Sequence, residues 1–447
     1  MALRRIDFLH EERSVPHQLH VILRESAASE FSPELDRWNE RAEEMMQTCS
    51  SVPDDDSDYA DVTYRLQQRL LVQLNATAEE GGDMASRILE SYAASGTLSE
   101  GFAQSFRACR NWLRWNLQWY HTPIASFRPL DEFCIRLVEE QSIVAKEAAQ
   151  VVFYTSFHDR TSCRVLVKER RILPRFLAAL IRTDSVPMSL AIARNVHNIV
   201  VSFPGVAQDI ESTRASGGDS TSCPWVPADE VSYINVFLKL LVHEGDDEEL
   251  VVEILRCFYA LRVGRRLQQD LGLRTAVFQH LERRQLASVA ILMDAPSSLE
   301  IPIEPLTGVL RSCLVETPTV DIVAVTPVLA VLLKFCDAQE RVRERVKSVV
   351  FPDEETYQKM AEAQRVAHKG KLKNVAPLDA PRGSLRFHLI QLLTSHESNV
   401  KRISAELLWI LCGSSSQEFI GRVGMGNALP TLGQKGIVQL PSHVYAS

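Results

Sequence analysis

Apolar residues recur at helical spacing along almost the whole chain, and this periodicity restricts the possible fold more than any other feature. In residues 398–412, for example, Val400, Ile403, Leu407 and Leu411 fall on one stripe of a helix. The sequence contains no Asn-Gly or Asp-Gly hairpin signal and almost no sustained alternation of apolar and polar residues. It therefore predicts an all-α fold.

The predicted helices are short and are separated by polar breaks. In the 398–412 stripe, Ser398 or Asn399 is the expected N-cap, and Gly413 is expected to end the helix. Similar stripes occupy residues 61–78, 83–95, 101–120, 129–155, 164–182, 187–203, 231–262, 265–284, 303–336, 338–350 and 383–396. Many of them are apolar over more than one face, as in helices that pack against a neighbour on each side. This pattern favours an armadillo/HEAT-like helical-repeat superhelix, a solenoid, over a compact bundle.

The repeat length is not regular along the sequence. Armadillo and HEAT repeats span about 40–47 residues, so a chain of 447 residues has room for about eight or nine of them. Polar, proline- and glycine-rich stretches divide the chain into segments. We expect N-terminal helical repeats at 1–207, a loop or hinge at 208–230, middle repeats at 231–351, a short helix and mobile loop at 352–383, C-terminal repeats at 384–438 and a tail at 439–447.

Composition limits the classes of function. The chain is 45% hydrophobic and 24% charged, which is typical of a soluble globular protein. Its net charge of −8 argues against a nucleic-acid or membrane-surface binder, since such proteins are usually basic. No secretory signal and no stretch of about 18 uncharged apolar residues is present, so we expect a cytoplasmic protein without membrane insertion. The nine cysteines include no Cys-x-x-Cys pair and are interpreted as buried, reduced thiols.

Enzymatic signatures are absent from the sequence. It has no Walker loop, no Gly-x-Ser-x-Gly and no His-Glu-x-x-His, and its acidic runs lack calcium-loop spacing. We therefore expect no catalytic residue, no metal and no cofactor. We predict that the protein acts by binding another protein.

A basic segment stands out in this acidic chain. Arg341, Arg345 and Lys347 lie on one predicted helix, and Lys401 and Arg402 begin a later one. Arg341 and Arg345 are one turn apart and share a face. Two interpretations remain open: a solvated face interleaved with glutamates, or a cleft that meets acidic groups of a partner.

The C-terminal third resembles the synembryn family, which comprises exchange factors and chaperones for G-protein α subunits. The resemblance rests on residues 385–394, Val400, Lys401, Arg402, Ala405, Glu406, Leu408, Leu411, Cys412, Phe419, Ile420, Gly424, Gly426, Asn427, Ala428 and Gly436. Upstream it includes Pro327, Val328, Leu329, Val331, Leu332, Arg341, Lys347 and Pro352. It extends over positions 305 to 438, which is under a third of the chain. Residues 313–321 depart from the family pattern, because they contain no Lys or Arg where the family carries a basic run.

The resemblance implies a function and a partner. A synembryn-like protein would bind a heterotrimeric G-protein α subunit, GDP-bound or nucleotide-free, through the concave face of a solenoid, and would act in the cytoplasm or at the cell cortex as a monomer. The expected partner-binding residues are Arg341, Arg345, Lys347, Lys401 and Arg402. Glu406, Gly424, Gly426 and Asn427 are expected to be structural. The alternative is an armadillo-type scaffold, similar to ataxin-ten, without exchange activity.

Overall fold

A computed structural model describes most of the chain from residue 130 to residue 438. The described residues are 130–157, 159–213, 232–243, 247–317, 320–353, 355–359, 362, 381 and 383–438, together with residues 103, 106, 107, 110 and 113. Every regular element in this part of the chain is a helix, and seventeen α-helices have defined bounds. The prediction of an all-α fold is therefore confirmed for the described residues.

The described residues separate into two compact units that meet in sequence after Ala260. In its described part, the first unit has eight α-helices. They are α1 (Asp131–Glu139), α2 (Ala145–Ser156), α3 (Arg160–Lys168), α4 (Ile172–Arg182), α5 (Val186–Ser202), α6 (Ala207–Ser212), α7 (Tyr233–His243) and α8 (Glu248–Ala260). A short 3₁₀ helix, Pro204–Val206, connects α5 to α6.

Helix α5 is the centre of the first unit and packs between α2 and α8. Most of its apolar side chains are buried, and two buried asparagines fix its position against α2. The Asn195 amide donates to the main-chain oxygen of Ala149 at 2.8 Å, and the Asn198 amide donates to that of Ser156 at 3.1 Å. Since buried polar groups are costly without partners, these bonds favour one alignment of the two helices.

The second unit has nine α-helices among its described residues. They are α9 (Leu271–Glu282), α10 (Leu286–Met293), α11 (Ile303–Leu314), α12 (Ile322–Ala338), α13 (Glu340–Val350), α14 (Leu385–Leu392), α15 (Ser398–Leu411), α16 (Ser416–Val423) and α17 (Met425–Gln434). A 3₁₀ helix, Val263–Arg266, precedes α9. Helix α12 takes the central place here and packs between α10 and α15.

A lysine on α12 stabilises the end of α10. The ammonium of Lys334 donates to the main-chain oxygen of Met293 at 2.8 Å and also to that of Ala295. The last carbonyls of a helix have no partner within it, so a cation at this position satisfies them and offsets the helix dipole. Partial burial lowers the pKa of the Lys334 ammonium.

Both units have the side-by-side helix packing of armadillo-like repeats, as predicted. The central helices α2 and α5 begin at Ala145 and Val186, a separation close to the length of one repeat. Helix α8 begins at Glu248, well over one repeat length after the start of α5. In the second unit, α12 begins at Ile322 and α15 at Ser398, which is again more than one repeat. These longer spacings explain why no regular period is visible in the sequence.

Several predicted stripes are in fact pairs of helices. The stripe at 129–155 contains α1 and α2, that at 231–262 contains α7 and α8, and that at 303–336 contains α11 and α12. The sequence between the paired helices is short, and apolar residues at helical spacing resume directly after it, so one stripe is predicted where two helices lie. The expected N-cap of the 398–412 helix was also wrong: Ser398 and Asn399 lie inside α15, and Glu397 precedes it. Gly413 follows that helix in the left-handed region, with φ of 61°, as a helix stop requires.

Some predicted segments lie partly or wholly outside the described residues. Helix α6 occupies the start of the expected 208–230 loop, and residues 214–231 are not described. Residues 355–359 are helical at the expected place, whereas 363–380 are not described. Most of residues 1–129 and the whole predicted tail, 439–447, are outside the described part as well.

Candidate partner-binding surfaces

The predicted contact residues on α13 are matched by glutamates of the same unit. Arg341 lies 3.2 Å from the carboxylate of Glu300, and Arg345 pairs with Glu304. Glu304 lies in the first turn of α11 and Glu300 lies just before that helix, so the two acids face the two arginines of α13. All four side chains are at least half exposed, and such ion pairs contribute little to stability because water screens them.

Lys347 forms an ion pair with another residue of the second unit. Its ammonium lies 3.0 Å from the carboxylate of Glu418 on α16, and both side chains are partly buried. Arg422, one turn further along α16, lies 3.9 Å from the same carboxylate, and its guanidinium stacks over the ring of Phe351 at 5.2 Å. Lys347 thus links α13 to α16.

Arg386 is a residue that sequence reasoning missed. It is only 7% exposed, and its guanidinium donates two hydrogen bonds, of 3.0 and 2.6 Å, to the main-chain oxygen of Arg422 at the end of α16. The same guanidinium lies over the rings of Phe351 and Tyr357. The family resemblance includes position 386 but assigns it no role. The signal available in the sequence was an arginine within an apolar stripe.

Lys401 and Arg402 are exposed cations near the start of α15. Neither forms an ion pair or a side-chain hydrogen bond with any described residue, in contrast to the three cations on α13. The opposite side of α15, including Val400 and Ile403, is buried. Within the described part of the chain, no carboxylate neutralises these two charges.

The four residues expected to be structural cluster around α15, α16 and α17. Glu406 accepts hydrogen bonds of 3.1 and 2.9 Å from the ammonium of Lys435. Gly424, with φ of 85° and ψ of 149°, separates α16 from α17 in a conformation that only glycine adopts readily. The Asn427 amide donates to the main-chain oxygen of Val423 at 2.9 Å, and Gly426 lies in the first turn of α17 with open space around it.

A groove in the first unit gave no recognised sequence signal. It has a volume of about 680 Å³ and is lined by α2, α5 and α8. Phe153 of α2 makes edge-to-face contacts with Tyr154 and with Phe157 beyond the helix end, at centroid distances of 5.4 and 5.1 Å. These partly exposed rings supply an apolar wall. The available signal was three aromatic residues within five positions, at the end of the 129–155 stripe and just beyond it.

Charged pairs form the other wall of this groove. Arg194 of α5 pairs with Glu249 of α8, and Nδ1 of His197 lies 2.8 Å from the buried carboxylate of Glu253. Burial alone raises the pKa of the Glu253 carboxyl. The hydrogen bond from His197 and the positive charges of Arg256 and Arg194 outweigh this effect, so that the pKa lies below its ordinary value of 4.5. An apolar wall facing a polar one suits a protein segment rather than a small apolar molecule.

These features define a class: a helical-repeat protein whose surfaces are suited to binding. No group of three or more His, Cys, Asp or Glu residues that could hold a metal ion occurs among the described residues. None of the described helices is long and apolar enough to cross a membrane.

Comparison with known proteins finds a family model that is similar to part of the chain. Residues 232–447, just under half of the sequence, match the family model described as guanine nucleotide exchange factor synembryn, Ric8. Over these residues the chain is similar to that family, and the resemblance stated from the sequence is confirmed. An exchange factor acts by binding rather than by covalent chemistry, in agreement with the prediction that the chain is not an enzyme.

Individual relatives match over a shorter stretch. The chain is 33% identical to chaperone Ric-8A of Bos taurus and 32% identical to that of Mus musculus, each over 118 residues. Both matches cover 25% of this chain and 22% of the relative. Chaperone Ric-8A of Gallus gallus is 28% identical over 115 residues, which cover 26% of this chain and 18% of the relative. The matched stretch is about a fifth of the length of these relatives.

Proposed function

We propose that the protein binds a heterotrimeric G-protein α subunit, GDP-bound or nucleotide-free, and acts on it as a guanine nucleotide exchange factor and folding chaperone. The observation that carries this proposal is the match of residues 232–447 to the synembryn family. The helical repeats supply a scaffold for such a partner. The activity is proposed for the cytoplasm, with the protein as a monomer.

Exchange needs no catalytic residue in this proposal. A protein that binds the open, nucleotide-free α subunit more tightly than the GDP-bound form weakens GDP binding by the same factor, because the two equilibria are linked. GDP then dissociates faster, and the open subunit is held until GTP binds. Holding an open, incompletely folded subunit is also what a chaperone does.

Lys401 and Arg402 are the residues we assign to the contact with the α subunit. They are exposed and without ion-pair partners among the described residues, so a partner's carboxylates can approach them at little desolvation cost. Arg341 and Arg345 remain secondary candidates, since a partner would first have to displace Glu300 and Glu304. Lys347 is the weakest of the five, because its pair with Glu418 is partly buried.

The groove along α2, α5 and α8 is assigned to the C-terminal helix of the α subunit. An amphipathic helix in such a groove places its apolar face on Phe153, Tyr154 and Phe157 and its polar face towards Arg194 and Glu249. Withdrawal of that helix from its own domain would loosen the nucleotide pocket.

A second candidate function is that of a scaffold without exchange activity. It is favoured by the three cations on α13, which are satisfied within the protein, and by the groove, which would accept a helix from any partner. This alternative predicts binding without any effect on nucleotide.

The two functions separate in one mixing experiment. The purified chain is added to GDP-loaded α subunits from the same organism, and GDP release is followed with time. Faster release that is lost when the α subunit lacks its C-terminal helix supports the exchange factor. Binding without acceleration leaves the scaffold, and absence of binding to every α subunit overturns the proposal.

A further inference from the structure

Helix α3 carries a row of three cations on its exposed side. Arg160, Arg164 and Lys168 are spaced four residues apart and so lie on one face, about 6 Å from one to the next along the axis. The other side of the helix is buried through Cys163 and Leu166. In a chain of net charge −8, this row forms a local patch of positive charge.

These cations line a cavity of about 480 Å³. Its other lining residues are Thr161, which supplies a hydroxyl, and Phe203, which supplies an aromatic ring; among the described residues, no acidic side chain lines it. The cavity therefore combines positive charge, a hydrogen-bonding group and an apolar surface.

Two of the three cations are not neutralised within the described part of the chain. Lys168 pairs with Asp209 at 2.9 Å, but Arg160 and Arg164 form no ion pair with any described residue. The neighbouring acid, Asp159, is engaged as the N-cap of α3, where it accepts hydrogen bonds from the main-chain N–H groups of Thr161 and Ser162. The start of the helix is thus already satisfied, and the positive charge of the cavity comes from side chains.

We propose that this cavity binds a phosphate monoester. Guanidinium groups form bidentate, charge-assisted hydrogen bonds with phosphoryl oxygens, and two of them one turn apart can share a single phosphate. Thr161 can donate a further hydrogen bond, and Phe203 can contact the organic group that carries the phosphate. The cavity shares no lining residue with the groove assigned to the α subunit, so the proposal does not rest on the proposed function.

The test uses phenyl phosphate, which carries both chemical features, titrated into the full chain and followed by ³¹P line broadening. We expect saturable binding that Arg160→Ala with Arg164→Ala weakens by about tenfold or more, as loss of two charge-assisted hydrogen bonds implies. Arg341→Ala with Arg345→Ala removes the same charge elsewhere and is expected to change the affinity less than about twofold, as for surface charges that do not contact the ligand. An unchanged melting temperature in both double variants shows that the fold is intact.

Four further probes test which chemical group the cavity binds and which kind of molecule carries it. Benzoate, which has one charge and no phosphorus, is tested by its displacement of phenyl phosphate. It is expected to bind at least about tenfold more weakly, because it forms fewer charge-assisted bonds. Tighter binding of a phosphoserine peptide than of inositol monophosphate assigns the site to a modified protein, and the reverse assigns it to a small metabolite. Equal binding of benzoate, equal loss in the control variant, or binding only to anionic lipid vesicles would overturn the proposal.

Discussion

Lys347 on α13 and Glu418 on α16 form a partly buried ion pair of 3.0 Å, although they are distant in the sequence. In the sequence Lys347 belongs to a basic segment that suggests a partner contact, whereas in the structure it connects two helices of its own unit. The Lys347 ammonium cannot pair fully with Glu418 and contact a partner's carboxylate at the same time. Each residue of the basic segment therefore has to be tested separately.

Lys347→Met is expected to lower the free energy of unfolding by about 1 kcal/mol, the upper end for an incompletely buried pair. Urea denaturation measures this change. Lys359→Met is the matched control, because Lys359 pairs with Glu355 within one exposed turn and its loss should change stability by less than about 0.5 kcal/mol. If Lys347→Met keeps full stability but loses α-subunit binding, Lys347 is a contact residue.

Lys401→Glu combined with Arg402→Glu is expected to weaken α-subunit binding by about tenfold or more, since two attractive charges become repulsive. The helical circular dichroism spectrum should not change, because both side chains are exposed. Arg341→Glu with Arg345→Glu imposes the same charge change on residues already paired with glutamates, and a smaller loss of affinity is expected. Unfolding of the first double variant would show instead that Lys401 and Arg402 are structural.

Gly264→Ala is expected to lower the free energy of unfolding by about 3 kcal/mol, because backbone would have to move to admit the new methyl group. A Cβ atom at this position would lie 2.2 Å from the main-chain oxygen of Ile291 and 3.0 Å from the nitrogen of Ala295. Gly308→Ala is the control: no atom lies within 4 Å of the added methyl group, and alanine in a helix should raise stability by up to about 1 kcal/mol. Equal effects of the two substitutions in thermal denaturation would contradict the close approach at Gly264.

Glu253→Gln is expected to cost about 1–3 kcal/mol at neutral pH, as loss of a buried, charged hydrogen-bonding group usually does. The folded-state pKa of Glu253 lies below 4.5, so the carboxylate stabilises the protein fully above pH 4.5. This contribution is lost as the pH falls from 4.5 through the folded pKa, and the difference between wild type and variant should shrink over that range. Glu282→Gln, an exposed change, is expected to have little effect at any pH. A difference that stays constant from neutral pH to well below the folded pKa would mean that ionisation of Glu253 does not contribute.

The buried thiols should react slowly with alkylating agents. Burial raises the pKa of Cys336 and of Cys412 to about 12, so the reactive thiolate is scarce in mildly alkaline buffer. Cys313 is partly exposed and is expected to be modified faster than either. Peptide mapping by mass spectrometry after timed alkylation measures the three rates. Labelling of Cys412 at the rate of Cys313 would mean that α15 opens readily.

The sequence by itself determined that this protein is helical and that it is built from short, stacked helices. Periodicity is a local property: the stripe from Val400 to Leu411 predicts α15 without knowledge of any other element. The resemblance near the C-terminus is also local, since it depends on ordered spacings within one stretch of chain.

The tertiary structure decided which charges are available for binding. Arg345 and Lys401 look alike in the sequence, but only Arg345 meets a glutamate, Glu304, which lies on a different helix. The groove was likewise decided by packing, because Phe157 and Glu249 line one groove only when α2, α5 and α8 lie side by side. Such relationships depend on contacts between residues distant in the chain, and no local pattern encodes which side chains those contacts bring together.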